Sequence, residues 1–188
     1  MPSEYRIPKA PLTGLHGRVL SAYAKRVYGE VPDFAHVLLH HKPLTRATVS
    51  FEGKVAKFHA LDANLKSYAV MATSSMIGCS WCMDFGYFLA HNEGLEEEKV
   101  RQVPVWRDSD VFTPLERGVM EYAEAMTATP PEVTDEMVSD LHRQLGPEAT
   151  VELTAMISLE NMRSRTNSAM GLASQGYADS CELAPLAQ

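Results

Sequence analysis

Cys79 and Cys82 are the residues whose types and spacing most directly indicate chemistry in this chain. They occur at the point where one apolar helical pattern ends and another begins, in the run Met76-Ile77-Gly78-Cys79-Ser80-Trp81-Cys82-Met83. Two thiols three residues apart at the start of a helix lie on one face of that helix. The helix N-terminus favours the thiolate form, so the pair can form a disulfide and serve as a redox centre.

The small number of cysteines limits what this pair can be. Three cysteines are too few for a disulfide framework, and a close pair in a reducing compartment indicates metal binding or catalysis. A zinc site needs four ligands, commonly from two such pairs, and the chain has one pair. We therefore predict no metal and no cofactor. A pair of buried, inert cysteines is the structural alternative, and we expect Cys181, near the C-terminus, to be an incidental exposed thiol in a mobile tail.

Composition and charge exclude several classes of protein. The 188 residues include 17 Lys and Arg against 24 Asp and Glu, a formal net charge of −7, which argues against a nucleic-acid partner. The apolar stretches are shorter than the roughly 18–20 residues of a membrane span. The first residues lack the charged and then apolar order of a signal peptide. We expect a cytoplasmic protein that does not contact a membrane.

Apolar periodicity and capping residues predict an all-α fold, a helical bundle. Asp62 and Thr134 are expected N-caps, and Thr113-Pro114-Leu115-Glu116 has the pattern of a capping box with proline at the first helical position. No alternating β-branched run indicates a strand. The expected helices cover residues 15–28, 33–58 in two pieces divided at Pro43, 63–77, 79–92, 96–103, 114–126, 135–145 and 148–170.

These helices are expected to form one domain over residues 1–188. Residues 1–60 would be an N-terminal arm and helical extension, residues 61–170 the core that carries the CxxC helix, and residues 171–188 a C-terminal tail. The last long helix has two apolar stripes, which predicts burial from two sides. One stripe contains Leu153 and Ile157, and the other contains Val151, Ala155, Leu159 and Met162.

The order of segments around the cysteines carries a family resemblance over residues 64–170. These segments are Gly78-Cys79-Ser80-Trp81-Cys82, Pro104-Val105-Trp106-Arg107, Phe112-Thr113-Pro114-Leu115-Glu116-Arg117, Tyr122-Ala123-Glu124-Ala125-Met126-Thr127, and a final helix with Asn161 and Arg163. Together they resemble the AhpD-like branch of the carboxymuconolactone decarboxylase family, far more specifically than CxxC alone would.

The resemblance implies an AhpD-like helical bundle, a homo-oligomer that is a trimer or hexamer, and thiol-based reduction of a hydroperoxide. In that scheme Cys82 attacks the peroxide. Cys79, expected nearer the surface, resolves the sulfenic acid to a disulfide, which a dithiol reductant then reopens. The small-molecule oxidant and the dithiol are thus the expected partners.

Two positions depart from the family pattern, and both belong to its proton relay. The histidine of CxxCxxxH is Gly86 here, and the glutamate that lies twelve residues before the first cysteine is Ser67. Without its usual acid and base, peroxide reduction should be slowed by about 10²–10⁴-fold, while disulfide exchange can persist. Ser67, Asp84 and His91 are the candidates for a supporting role, although Asp84 and His91 do not face Cys82 on a straight helix.

A second polar group lies on the last long helix. Asn161, Arg163, Arg165 and Asn167 can anchor helix ends or subunit contacts, which we favour, or line a pocket for an acidic ligand.

Three functions remain as hypotheses from the sequence. The first is an AhpD-like thiol oxidoreductase that reduces hydroperoxides or exchanges disulfides through Cys79 and Cys82. The second is a decarboxylase-type enzyme acting on a small lactone or acid, in which the CxxC would be idle. The third is a non-enzymatic redox sensor or assembly module built on a retired site.

Overall fold

The computed structural model describes residues 3–188, and this part of the chain is helical with no strand. The all-α prediction is confirmed. A 3-10 turn, Val103–Val105, separates the sixth and seventh α-helices. The α-helices are α1 (Gly14–Tyr28), α2 (Asp33–Leu38), α3 (Lys42–Val55), α4 (Ala63–Ile77), α5 (Ser80–Asn92), α6 (Glu97–Gln102), α7 (Pro114–Thr127), α8 (Asp135–Ala169) and α9 (Tyr177–Ser180).

The hairpin of α4 and α5 is the element that carries the cysteines. The Asp62 carboxylate accepts hydrogen bonds from the backbone N–H groups of Asn64 and Leu65, so it caps α4 as predicted. Gly78 ends the helix at φ 77°, in the left-handed region that glycine enters without penalty. The chain turns at once into α5, so the cysteines lie at the closed end of a tight hairpin.

The core forms where α4 packs against α7 and α8. Large apolar side chains that are almost completely buried fill this contact, among them Tyr68, Met71, Val119, Met120, Leu153 and Ile157. The predicted capping box at the start of α7 is present: Thr113 accepts from the backbone N–H of Glu116, and the Glu116 carboxylate accepts from that of Thr113. Lys99 also donates to Glu116 at 2.8 Å, which ties α6 to α7.

The predicted break between two helices is confirmed within α8, because Gly146 has a non-helical backbone (φ 78°, ψ 170°) and is followed by Pro147. The prediction of burial from two sides is wrong for Val151, Ala155 and Met162, whereas Leu159 of the same stripe is buried against Val55 and Met156. Val151 and Met162 are 69% and 50% exposed, whereas Leu153 and Ile157 are buried. The inward side of α8 is completed instead by polar residues that find partners there, namely Glu152, Glu160, Ser164 and Asn167.

The two ends of the chain pack against each other beside the closed end of the hairpin. The backbone N–H of Arg6 donates to the Met170 carbonyl, and the Ser3 hydroxyl donates to that of Ala173. Gly171 adopts φ 77°, and a Cβ there would collide with the Glu4 carbonyl oxygen, so only glycine fits. The C-terminal tail that the sequence predicted to be mobile packs on the molecule over residues 171–183 and includes α9.

Candidate functional site

Cys79 and Cys82 are joined by a disulfide at the first turn of α5, with their Cα atoms 5.3 Å apart. Cys79 is the N-cap, and its Sγ accepts from the backbone N–H of Cys82 at 3.2 Å. Cys82 is the third helical residue, where the partial positive charge of the helix end favours a thiolate. Cys79 is 1% exposed and Cys82 7%, so the expectation that Cys79 lies nearer the surface is wrong in this chain.

The side chain within hydrogen-bonding reach of the Cys82 sulfur is Asn167. Its Nδ2 donates to Cys82 Sγ at 3.4 Å, and both residues are buried. Asn167 is on α8, where Glu160 and Ser164 precede it by seven and three residues and share its face. We call Asn167, Ser164, Glu160 and the adjoining Ser74 of α4 the polar wall.

A buried carboxyl group forms the centre of the polar wall. Glu160 Oε1 accepts from the hydroxyls of Ser164 at 2.6 Å and Ser74 at 2.9 Å. Its Oε2 is 3.3 Å from the Arg163 guanidinium, which also binds Glu52. Burial raises the pKa of Glu160, and the positive charge of Arg163, shared with a second carboxylate, does not offset that effect.

The polar wall also reaches the other cysteine. The Ser74 carbonyl accepts from the backbone N–H groups of Gly78 and Cys79, each at 3.0 Å. The Ser74 hydroxyl, which donates to Glu160, therefore ties the carboxyl group to the turn that holds Cys79. The wall thus contacts Cys82 through an amide and Cys79 through backbone.

Aromatic rings occupy another side of the disulfide. Trp81 stacks on Phe85 with ring centroids 4.8 Å apart, and Tyr177 of α9 meets the Phe85 ring at 5.1 Å. We call Trp81, Phe85 and Tyr177 the aromatic wall. All three pack in one cluster with both cysteines, together with Phe88 and Leu172. Burial raises the pKa of the Tyr177 phenol. Trp81 thus serves both packing and the surroundings of the sulfurs.

Asp84 is buried, and its hydrogen bonds go to the C-terminal segment and not to the thiols. Its carboxylate accepts the Ser174 hydroxyl and four backbone N–H groups of residues 175–178, at 2.8–3.1 Å. The sequence indicated correctly that Asp84 points away from Cys82. Its role as the anchor of a distant segment was missed, because no local pattern signals a partner about ninety residues away.

At both positions that depart from the relay pattern, Gly86 and Ser67, the structure shows why the residue does not act on the sulfurs. A Cβ at Gly86 would lie 2.7 Å from the Met71 sulfur, so the space that a histidine would need is filled by a buried methionine. Ser67 is in α4, about 15 Å along the helix axis from the end at which the cysteines lie. The structure does not bring Ser67 to the sulfurs, so this candidate for a supporting role is wrong within the chain.

His91 and Cys181 also occupy positions other than those expected. His91 is near the end of α5, about 13 Å along its axis from Cys82, and its Nδ1 is 2.8 Å from Glu97 Oε2. It does not support the thiols within the chain. Cys181 is half-buried and packs against the cluster that contains the disulfide, so the prediction of an exposed thiol is wrong.

The polar run of α8 divides into two roles. Asn161 donates to Thr127 Oγ1 at 2.9 Å, and Arg165 donates to the Thr127 carbonyl at 3.0 Å, so both hold the end of α7. Arg163 joins Glu160 to Glu52 of α3. The structural role that we favoured is confirmed for these three. Asn167 differs because it binds the sulfur, and its seven-residue spacing from Glu160 was the signal that sequence reasoning did not use.

Within residues 3–188 no group of three or more His, Cys, Asp and Glu side chains is arranged to hold a metal ion. No helix in the same range combines the length and the apolar character that crossing a membrane requires.

Comparison with known proteins gives a sequence match and a set of fold matches. Residues 42–125 match the carboxymuconolactone decarboxylase family. The protein YnjA of Escherichia coli (strain K12) is 35% identical over 116 residues, which are 62% of this chain and 64% of YnjA. The chain therefore aligns with just under two thirds of the length of that relative.

Solved structures at lower identity share the fold. The debrominase Bmp8, as a cysteine-to-alanine variant in complex with 2,3,4-tribromopyrrole, aligns with a TM-score of 0.80 at 20% identity, over 94% of this chain and 97% of Bmp8. A peroxidase-related protein with an alkylhydroperoxidase AhpD core, from Ralstonia eutropha JMP134, aligns with a TM-score of 0.78 at 19% identity, over 92% and 94%. The predicted AhpD-like bundle is confirmed.

Proposed function

We propose that this chain, in which residues 42–125 match the carboxymuconolactone decarboxylase family, is a thiol oxidoreductase. In this proposal Cys79 and Cys82 alternate between dithiol and disulfide while they reduce a hydroperoxide or another disulfide. The observation that carries it is the bonded pair at the N-terminus of α5, with the Asn167 amide directed at the Cys82 sulfur.

The proposed cycle uses the two cysteines unequally. The Cys82 thiolate attacks the peroxide, the O–O bond breaks, and the alcohol leaves with a proton while Cys82 becomes a sulfenic acid. Cys79 then attacks the Cys82 sulfur and water leaves as the disulfide forms. Asn167 supports the first step because an N–H donor stabilises the thiolate. Because Gly86 replaces the relay histidine, we expect peroxide turnover to be slow relative to disulfide exchange.

The partners in this proposal are a small hydroperoxide as oxidant and a cellular dithiol as reductant. The reductant thiolate attacks the disulfide, and a mixed disulfide precedes its release. This cycle requires a compartment in which dithiols are kept reduced, which supports a cytoplasmic location.

The test is mass spectrometry of the reduced protein after one equivalent of an alkyl hydroperoxide. The mass of the wild-type protein should fall by that of two hydrogen atoms as the Cys79–Cys82 disulfide forms, and DTT should restore the original mass. Cys79→Ser should stop at a sulfenic acid on Cys82 that dimedone traps, whereas Cys82→Ser should not react. Cys181→Ser is the matched control and should behave as wild type.

Several outcomes of that experiment would contradict the proposal. Thiols that survive the oxidant unchanged would exclude a redox role, and a decarboxylase would keep its activity with both cysteines replaced by serine. A disulfide that forms with negligible turnover, but changes the oligomeric state, would indicate a sensor. Reaction at Cys79 in the Cys82→Ser variant would reverse the two assigned roles.

We include a homo-oligomer, a trimer or hexamer, in the proposal. The outer face of α1 supports it, since Leu15, Val19 and Tyr23 are 81%, 60% and 59% exposed at helical spacing. Light scattering should give a mass of three or six chains. Val19→Asp, which places a charge in that stripe, should dissociate it, and a monomeric wild type would contradict this part.

The aromatic wall favours a second candidate, reductive dehalogenation of a small aromatic ring. Rings at the side of the sulfurs can stack on a planar substrate. The electrons and protons balance, because two thiols become a disulfide, one of their protons replaces bromine on the carbon, and the other is released with bromide. Bromide release from 2,3,4-tribromopyrrole by the reduced protein would support it. Equal release by Cys82→Ser would exclude a thiol mechanism.

A further inference from the structure

The segment of residues 172–178 has two faces with different surroundings. On the inner face, Leu172 and Tyr177 are buried in the cluster that contains the disulfide. On the outer face, Ser174, Gln175 and Gly176 line an open cleft of about 460 Å³. The segment therefore contributes both to the wall of this cleft and to the cluster that contains the sulfurs.

One carboxylate holds most of this segment. Asp84 Oδ2 accepts from the Ser174 hydroxyl at 2.9 Å and from the backbone N–H groups of Gln175, Gly176 and Tyr177 at 2.9, 2.8 and 3.1 Å. Oδ1 accepts from the N–H of Ala178 at 2.8 Å. Hydrogen bonds to an ionised acceptor are about twice as strong as neutral ones. Five of them converge two residues after Cys82, on the helix that carries both sulfurs.

The Gln175 side chain is a second fastening. Its Oε1 accepts from the Trp81 indole N–H and from the backbone N–H of Asp33, each at 2.7 Å. Its Nε2 donates to the Val31 carbonyl at 3.3 Å. Gln175 thus joins the segment to α5 on one side and to the start of α2 on the other. Both sets of polar contacts act together with the apolar packing of Leu172 and Tyr177 to hold the segment in place.

The burial of the sulfurs conflicts with the chemistry proposed for them. Thiol–disulfide exchange requires an incoming sulfur to reach one of the bonded sulfurs. Cys79 and Cys82 are 1% and 7% exposed, so no bulky reactant reaches them while the segment is in place. We propose that residues 172–178 are a gate over the Cys79–Cys82 site, and that Asp84 sets its reactivity and its selectivity for small reactants by holding the gate closed.

This inference rests on the proposed function in that the gate controls access to the same sulfurs. The controlled step is reduction of the disulfide. A reductant thiolate attacks one sulfur and the S–S bond breaks, which leaves a mixed disulfide and one free thiolate in the protein. The second thiol of the reductant then displaces the protein thiolate, so the reductant becomes the disulfide and Cys79 and Cys82 gain two electrons and two protons.

The experiment compares rates of disulfide reduction in variants of the full chain. Reduced thioredoxin is the bulky dithiol and DTT the small one, and free thiols are counted by alkylation and mass spectrometry. Asp84→Asn keeps the shape of the anchor but removes its charge. We expect it to raise the rate with thioredoxin at least about tenfold, which corresponds to about 1.4 kcal/mol in the opening equilibrium. The rate with DTT should rise by a smaller factor, so the preference for DTT should fall.

Glu93→Gln is the matched control, because it removes one carboxylate charge from the exposed end of the same helix, far from the gate. It should leave both rates unchanged. Gln175→Ala is a milder second variant, which removes the other fastening and should raise the thioredoxin rate by a few fold. Hydrogen exchange supplies an independent readout, since the amides of residues 175–178 should exchange faster in Asp84→Asn than in wild type.

Two results would overturn the gate. One is an Asp84→Asn variant that is folded by circular dichroism, exchanges faster at residues 175–178, and is reduced at the wild-type rate by both dithiols. The other is an equal acceleration in Glu93→Gln. If Asp84→Asn does not fold, the Gln175→Ala rates decide in the same way. Because none of these measurements uses a peroxide, a failure of the proposed peroxide reaction would leave the gate test intact.

Discussion

The disulfide lies between two walls that differ in chemistry and in construction. The polar wall consists of side chains from the interiors of two long helices, α4 and α8, and presents an amide to the Cys82 sulfur. The aromatic wall takes one ring from the C-terminal segment, which is held by polar contacts to Asp84 and Gln175. The polar wall, which supports the reactivity of Cys82, is therefore part of the helical core. The aromatic wall, which limits access to the sulfurs, depends on the hydrogen bonds of Asp84 and Gln175 to the C-terminal segment.

This difference shows how one site can hold a hydrogen-bond donor in a fixed position and still admit a reactant to the sulfurs. A donor must hold a fixed position to stabilise a thiolate, and long helices supply that rigidity. A covering element must open, so it belongs to the part of a structure with the lower opening free energy. Variants in the aromatic wall should consequently change stability and access, whereas variants in the polar wall should change the acidity of the groups near the sulfur.

The largest expected effect is loss of stability when the aromatic wall is truncated. Tyr177 is 2% exposed and contacts Phe85 and Phe88, so Tyr177→Ala should lower the free energy of unfolding by about 3–5 kcal/mol. Chemical denaturation of the oxidised protein measures this.

Tyr177→Phe is the control that keeps the ring. The Tyr177 hydroxyl is buried and has no hydrogen-bond partner within the described part of the chain. Its removal should leave stability within about 1 kcal/mol of wild type or raise it. A large loss of stability in the phenylalanine variant would contradict the assignment of the stabilisation to packing of the Tyr177 ring.

The second effect concerns the amide at the sulfur. Asn167→Leu keeps the approximate size of the side chain but removes the donor to Cys82. A hydrogen bond to a charged group contributes about 1.5–3 kcal/mol, which is about one to two units of thiol pKa. We therefore expect the pKa of Cys82 to rise by that amount, measured in a background with Cys79 and Cys181 replaced by serine.

Asn161→Leu is the matched control for that measurement. Asn161 lies on the same helix, but its amide donates to Thr127 and has no bond to sulfur. This variant should lose some stability and leave the pKa of Cys82 unchanged. If the two variants shift the thiol pKa equally, the effect is a general one of α8, and Asn167 has no special role.

Local signals were enough to predict most of the helices. Asp62, Thr113 and Gly78 each act within four residues of their own position, and each sits at the helix end that its type indicates. Of the candidate site, only the cysteine pair could be predicted. The CxxC motif predicted the two cysteines at the start of a helix, because their spacing and the turn before them are also local features.

The walls around the sulfurs could not be predicted from local pattern. On α8 the periodic apolar stripe suggested that Val151 and Met162 point inward, but Glu160 and Asn167 face the core because α4 and α5 supply their partners. A period of 3.6 residues identifies stripes and does not say which one is covered. The bonds of Asp84 to residues 174–178 likewise depend on the folded path of the chain.

The smallest expected effect tests the polar wall against a second buried carboxylate on the same helix. Glu152 accepts from the backbone N–H groups of Ala60 and Leu61 and pairs with Lys66. Burial opposes its charge, but these partners outweigh burial and lower its pKa. Burial raises the pKa of Glu160. The two glutamates should therefore make opposite contributions to the pH dependence of stability.

The signs follow from proton linkage, at about 1.4 kcal/mol for each unit of pKa shift. The lowered pKa of Glu152 stabilises the fold above the ordinary glutamate pKa and is lost as pH falls. The raised pKa of Glu160 favours the fold at low pH, and this contribution is lost as pH rises through the folded pKa. Unfolding of Glu152→Gln and Glu160→Gln should be measured from about pH 2 to about pH 8. As pH rises, the first variant should lose stability relative to wild type below the ordinary glutamate pKa, and the second should gain it above that pKa. If both lose stability as pH rises, Glu160 is an ordinary ion-pair partner of Arg163, and the polar wall holds no proton near the sulfurs.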